Sequence, residues 1–178
     1  MMTSSTPAHP LPDPGPIRPP RSRRRLARLP APLWLASAAE GDRDATLASW
    51  PGRPGGLLLL PCGVRWDAVR LPERLGLAVL EALLRDAAEP GPVLHDRDTA
   101  LVYVLIPPDS GVDWGRKNAR ARLLSTGCYL AVPSPELGFL NRAVVWAHMP
   151  PLPAPTDPRD LAAALDTVAA MPSVAAAA

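Results

Sequence analysis

The run His95-Asp96-Arg97-Asp98 sets an imidazole beside an Asp-x-Asp pair. Paired carboxylates with further acids nearby, such as Asp67 and Asp113, can hold Mg²⁺. Two such ions neutralise phosphates and activate an attacking hydroxyl in nucleotidyl transfer. The same residues have a plainer reading. Asp favours hairpin turns because its side chain bonds its own backbone, and Asp113 stands in a loop between Gly111 and Gly115. The turn reading is preferred. Asp67, Asp96, Asp98 and Asp113 form a metal set only under an alternative reading in which they hold Mg²⁺.

Arginine offers a second chemistry. Arg21, Arg23, Arg24 and Arg25 crowd the N-terminal tail, with Arg18 and Arg28 on either side. Arg116, Lys117, Arg120 and Arg122 make a second basic cluster, which Arg70 can join to form an anion-binding surface. Guanidinium groups at this density suit phosphate contacts that are nonspecific and salt-sensitive. DNA or a nucleotide is the partner this reading implies; the alternative is a solvated basic tail in an arginine-rich proteome. The net charge is only +2, so the basic character is local. Lys117 is the only lysine and there are 25 prolines, a bias of GC-rich coding. Clustering thus says more than abundance.

Other chemistries find little support. Ser125 and Ser134 have no nearby base or glycine elbow. No GxxxxGK[ST] stretch occurs, and "GGLLLL" lacks the spaced glycines of a dinucleotide fingerprint. His148 reads as a half-buried strand histidine, and His9 lies in the tail. Cys62 and Cys128 lie far apart with no CxxC spacing, and read as small thiols of a reducing cytosol. "RRRLARLPAPLWLASAAEG" mimics an export signal, but its prolines and short apolar core argue against one. No run reaches the roughly 20 apolar residues of a membrane helix. A cytoplasmic chain without a membrane anchor is expected.

The elements that must position these groups follow from periodicity and punctuation. Residues 1–31 read as a disordered Pro/Arg-rich tail, 32–172 as a single domain, and 173–178 as a disordered Ala tail. "PLWLASAAEGDRDATLASWPG" holds two short helical pieces, the second capped by Asp42 or Asp44. "GGLLLLPCG" predicts a central strand and "VRWDAVRL" a second. Pro72 opens a helix over Glu73–Ala88, whose stripe is Leu75, Val79, Leu80, Leu83 and Leu84. "PVLHDRDTALVYVLIPP" predicts a hairpin turning at "DRDT". Gly111 to Asn118 is loop. "ARLLSTGCYLAVPSP" and "AVVWAHMP" supply strands, and "TDPRDLAAALDTVAAM" a closing helix capped by Asp157. The fold class is α+β (mixed α/β): a mostly antiparallel sheet with helices packed on one side.

In this order the segments over Pro32 to Pro153 resemble the bifunctional DNA primase/polymerase (prim-pol) domain of the archaeo-eukaryotic primase superfamily. "DRDATLASWPGRPGGLLLLPCG" is similar to the family's acidic-capped helix and following strand. "VRWDAVRLP" is similar to the strand that leads into its paired aspartates. "VLHDRDTALVYVLIPPDSG" resembles its His-bearing hairpin, "RARLLSTGCYLAVPSP" its later strand pair, and "AVVWAHMPPLP" the Trp-bearing strand. The resemblance implies an α+β fold of that superfamily. It implies Mg²⁺-dependent nucleotidyl transfer where the family's residues are kept.

They are not kept. On this resemblance the paired aspartates fall on Arg70 and Pro72, the histidine on Leu101, and the third aspartate on Arg122. Asp67 matches an earlier, structural Asp. Guanidinium groups cannot hold a cation and repel one. The expectation is a prim-pol-like protein without metal cofactor or nucleotidyl transfer, which binds DNA or nucleotide through arginine. One alternative is an active polymerase using Asp67, Asp96, Asp98 and Asp113. The other is a protein-interaction module acting through the Pro-rich tail.

Overall fold

The computed structural model describes residues 29–86, 89–136 and 142–171. Two short helices come first, α1 (Ala31–Ala36) and α2 (Arg43–Ser49). Asp42 caps α2, its carboxylate accepting from the Asp44 and Ala45 amides, which satisfies donors the helix leaves open. Trp34 and Trp50 are both buried, and the Trp50 indole donates to the Gly56 carbonyl at 2.9 Å.

Strand β1 (Leu57–Pro61) pairs antiparallel with β6 (Tyr129–Pro133) in a two-stranded ribbon. This corrects the central-strand expectation for "GGLLLLPCG". Alternation shows why: Leu58 and Leu60 face the core, whereas Leu59 is 66% exposed. A strand at the centre of a sheet covered on both sides would bury both faces.

The larger sheet has five strands in the order β5-β2-β4-β3-β7, each pair antiparallel. They are β2 (Asp67–Pro72), β3 (Val93–Asp96), β4 (Leu101–Ile106), β5 (Arg122–Leu124) and β7 (Val144–His148). Helix α3 (Glu73–Arg85) links β2 to β3. Strands β2 and β3 run the same way with β4 between them, the split βαβ arrangement. "VRWDAVRL" therefore supplies an interior strand.

Helix α3 starts at Glu73 as expected, but Pro72 is still in β2 and is the N-cap, not the first helical residue. Within the expected stripe Val79, Leu80 and Leu83 are buried, but Leu84 is half exposed. Gly76 sits on the inner face, where a Cβ would collide with Val102. The Gly111–Asn118 segment contains one helical turn, α4 (Trp114–Lys117), capped by Asp113. Its Trp114 is buried. The closing helix α5 (Pro158–Ala170) has Asp157 as its cap and Leu161 and Leu165 inward.

Two cores result, one on each side of the five-stranded sheet. On one side Val69, Leu71, Val102 and Val104 pack with α3, α5 and Trp114. On the other, Ala68, Leu94 and Leu105 pack with α1, Trp50 and the inner face of the ribbon. Helices thus lie on both sides of the sheet, not one. The Trp146 indole donates to the Pro133 carbonyl at 3.0 Å and ties β7 to the ribbon. Among the described residues, no helix is long and apolar enough to cross a membrane.

Candidate functional site

Side chains alternate across a strand, and residues directly opposed in an antiparallel pair share a face. Those two rules place the site. Arg70 and Pro72 are two apart on β2, so they share the ribbon-side face with Ala68. Arg70 is paired with Arg122 on β5 and with Tyr103 on β4. Pro72 is paired with Leu101, which in turn opposes Asp96. Arg70, Pro72, Leu101 and Arg122 therefore gather on one face of one sheet, in two adjacent rows.

Beside them, between the sheet face and the ribbon, lies a cleft of about 240 Å³. Leu59, Tyr129 and Leu130 line it from the ribbon, and Asp96, Tyr103 and Leu124 from the sheet. Burial pushes the Tyr103 phenol above its ordinary pKa, and the Asp96 carboxylate adds to this. The Arg70 charge and a hydrogen bond with Thr99 oppose the shift. Tyr103 is thus neutral at physiological pH and can offer a hydrogen bond and an aromatic face. Arg122 donates to the Ala119 and Ala121 carbonyls at 2.8 and 2.9 Å, which holds its guanidinium near the strand start. Among the described residues neither Arg70 nor Arg122 has an ion-pair partner. Two unpaired cations on one face favour an anion between or beside them.

The alternative metal set is not brought together. Asp96 lies at the cleft, but its carboxylate accepts from the Asp98 and Thr99 amides and closes the hairpin turn. Asp98 is exposed on that turn. His95 points to the opposite face, where its Nε2 lies 2.6 Å from Glu73 Oε1 at the start of α3. Alternation alone separates His95 from Asp96, so the "HDRD" run is a turn and not one ligand cluster. Asp113 caps α4. Asp67 sits at the far end of β2 from the Pro72–Leu101–Asp96 row, roughly 17 Å along the strand, beside Gly63, Asp109 and Ser125. Among the described residues no three His, Cys, Asp or Glu side chains are grouped to hold a metal ion.

Asp67 has its own environment. It is 1% exposed, and its Oδ1 has no hydrogen-bond partner. Burial pushes its carboxyl above the usual range, and the Ser125 hydroxyl and the Asp109 and Gly63 backbone amides offset this only in part.

The second basic cluster also divides. Lys117 Nζ bonds Asp166 Oδ2 at 2.7 Å on the helix side, where Arg116 lies beside the same open groove. Arg120 is exposed on the turn before β5. Only Arg122 turns to the face that carries Arg70. Arg21, Arg23, Arg24 and Arg25 lie outside the described residues.

Tyr103 is the cleft residue that sequence reasoning misses. Its one signal is a hydroxyl-tipped aromatic in step with Leu101 in an otherwise apolar strand. No family model, curated protein or solved structure matches the chain.

Proposed function

We propose that the chain is a prim-pol-like domain that has given up metal-dependent nucleotidyl transfer and binds nucleic acid or nucleotide through arginine. The observation that carries this reading is the shared face of Arg70, Pro72, Leu101 and Arg122. A resemblance between sequences picks out these positions, and it knows nothing of strand register. Their meeting beside one cleft is what a common ancestral site would leave behind.

The chemistry then follows from residue type. Carboxylates at these positions would hold cations. Two arginines with a proline and a leucine attract phosphate instead, as charge-assisted donors to its oxygens. The protein acts in this reading as a binding or regulatory factor in the cytosol, without a metal cofactor. The tail arginines Arg21, Arg23, Arg24 and Arg25 add contacts that track the phosphate backbone and weaken with salt.

The test is incubation of the purified full chain with a primed template, deoxynucleotides and Mg²⁺, beside a binding assay with single-stranded DNA. Binding without extension is the expected result. Extension of the primer would overturn the reading in favour of an active polymerase, and absence of binding at low salt would remove nucleic acid from the function.

A further inference from the structure

Cys62 and Cys128 are far apart in the chain but directly opposed in space. The ribbon register runs Leu57↔Pro133 to Pro61↔Tyr129, and one step further puts Cys62 opposite Cys128. The Cys62 amide donates to the Cys128 carbonyl at 2.9 Å, which continues the ladder through this pair. The Ser134 amide bonds the Gly56 carbonyl at the other end. Hydrogen-bonded pairs therefore recur at Gly56–Ser134, Leu58–Val132, Leu60–Leu130 and Cys62–Cys128. Pro61 and Pro133 fall at the intervening positions, where a missing N–H costs the ladder nothing.

An opposed pair of this kind has its Cα atoms about 5.5 Å apart, within the range that a disulfide spans. Both side chains leave the ribbon on the face that buries Leu58 and Leu60. Both residues are free thiols, Cys62 buried and Cys128 partly exposed. The turns around them are fastened together: the Cys128 amide bonds the Ser125 carbonyl, and the Gly63 amide bonds the Trp66 carbonyl. A Cβ on Gly63 would lie 2.7 Å from the Thr126 amide nitrogen, so the two turns touch through backbone.

We propose that Cys62 and Cys128 form a reversible intramolecular disulfide that closes the end of the ribbon, with a small-molecule disulfide such as oxidised glutathione as oxidant. Cys128, the more accessible sulfur, reacts first. Its thiolate attacks one sulfur of the small disulfide, that S–S bond breaks, and one small thiol leaves. Cys62 then gives up its proton and attacks the Cys128 sulfur, and the second small thiol leaves. Two protein thiols are oxidised, one small disulfide is reduced to two thiols, and the protons pass to the leaving thiolates. Burial, with the neighbouring Cys128 and Asp67, pushes Cys62 up to about 12. The second step is accordingly slow and speeds up with pH. Tyr129, next to Cys128, lines the cleft, so the bond fastens a wall of the proposed binding site.

The test uses the full-length wild-type protein, incubated with oxidised glutathione across a range of pH and quenched with acid. Intact mass, peptide mapping and thiol titration after unfolding are then read. The expected result is a monomer lighter by two hydrogen atoms, a Cys62–Cys128 cross-linked peptide, and recovery of both thiols on reduction. The cross-linked form should also unfold at a higher temperature, because closing a long loop restricts the unfolded chain. Persistent single glutathionylation at Cys128, disulfide-linked dimers, or two titratable thiols throughout would each overturn the proposal. Cys62→Ser serves as a check, and it should stop at the glutathione adduct. Loss of DNA binding would not bear on this inference, which rests on the ribbon register alone.

Discussion

Arg70 and Arg122 are direct cross-strand partners on β2 and β5, and both face the cleft side of the sheet. Opposed like charges cost stability. Natural sheets tolerate such a pair where something else is gained. A bound anion between two guanidinium groups would be that gain, and the two effects pull measurable quantities in opposite directions. Arg70→Gln or Arg122→Gln should stabilise the ligand-free protein by roughly 0.2–1 kcal/mol while weakening its grip on single-stranded DNA. Urea titration and a binding assay on the same preparations check this. Destabilisation with unchanged binding would mean the pair is structural.

The buried Asp67 carboxyl sets a pH dependence. An acid whose pKa is raised by folding keeps its proton where the unfolded chain has released it. Stability therefore falls as pH rises from about 3.8, the unfolded value, through the raised folded value, and the full penalty persists above it. Asp67→Asn keeps an acceptor for the Ser125 hydroxyl and removes the charge. It should raise the urea midpoint at neutral pH, and the gain should shrink as the acid window is entered. A midpoint lowered at neutral pH would show that the ionised carboxylate is needed there.

Gly63 holds φ at +85°, and its missing Cβ makes room for Thr126. Gly63→Ala combines a left-handed backbone penalty with a backbone clash. A loss of about 2–4 kcal/mol is expected from thermal or denaturant unfolding. Gly41→Ala is the control, since its φ is also positive but a Cβ meets nothing. It should cost less, about 1–2 kcal/mol.

His95 and Glu73 join β3 to the first turn of α3 with a 2.6 Å contact. Because Glu73 is over a third exposed, solvent screening reduces its worth, and a coupling of roughly 1 kcal/mol is expected from a double-mutant cycle with His95→Ala and Glu73→Ala. Neither substitution should alter DNA binding, because the pair lies on the face away from the cleft. Impaired binding by a stably folded His95→Ala protein would give "HDRD" a functional role after all.

Local signals carried most of the element boundaries. Asp42 and Asp157 cap helices where their types and positions suggested, and "DRDT" turns a hairpin because Asp96 bonds the amides that follow it. What escaped was non-local. Nothing in "GGLLLLPCG" says that its partner is β6 alone, because an apolar run reads the same in a ribbon as in a sheet centre. Cys62 and Cys128 show the same limit: their separation in the chain hides a pairing that depends on register. The basic cluster Arg116–Arg122 is contiguous in sequence, yet one turn of helix and a strand start send Lys117 and Arg122 to different sides of the sheet. The shared face of Arg70, Pro72, Leu101 and Arg122 is likewise a product of register, since three strands must pair in step to bring them together.

Fluorescence anisotropy of a labelled single-stranded oligonucleotide, titrated with wild-type chain and with Arg70→Ala/Arg122→Ala at several salt concentrations, tests the central claim most directly. The wild type should bind, with an affinity that falls as salt rises. The double variant should bind more weakly and with a shallower slope, by about 0.7 for each phosphate it no longer neutralises. Identical affinity and slope for the two proteins would contradict the account.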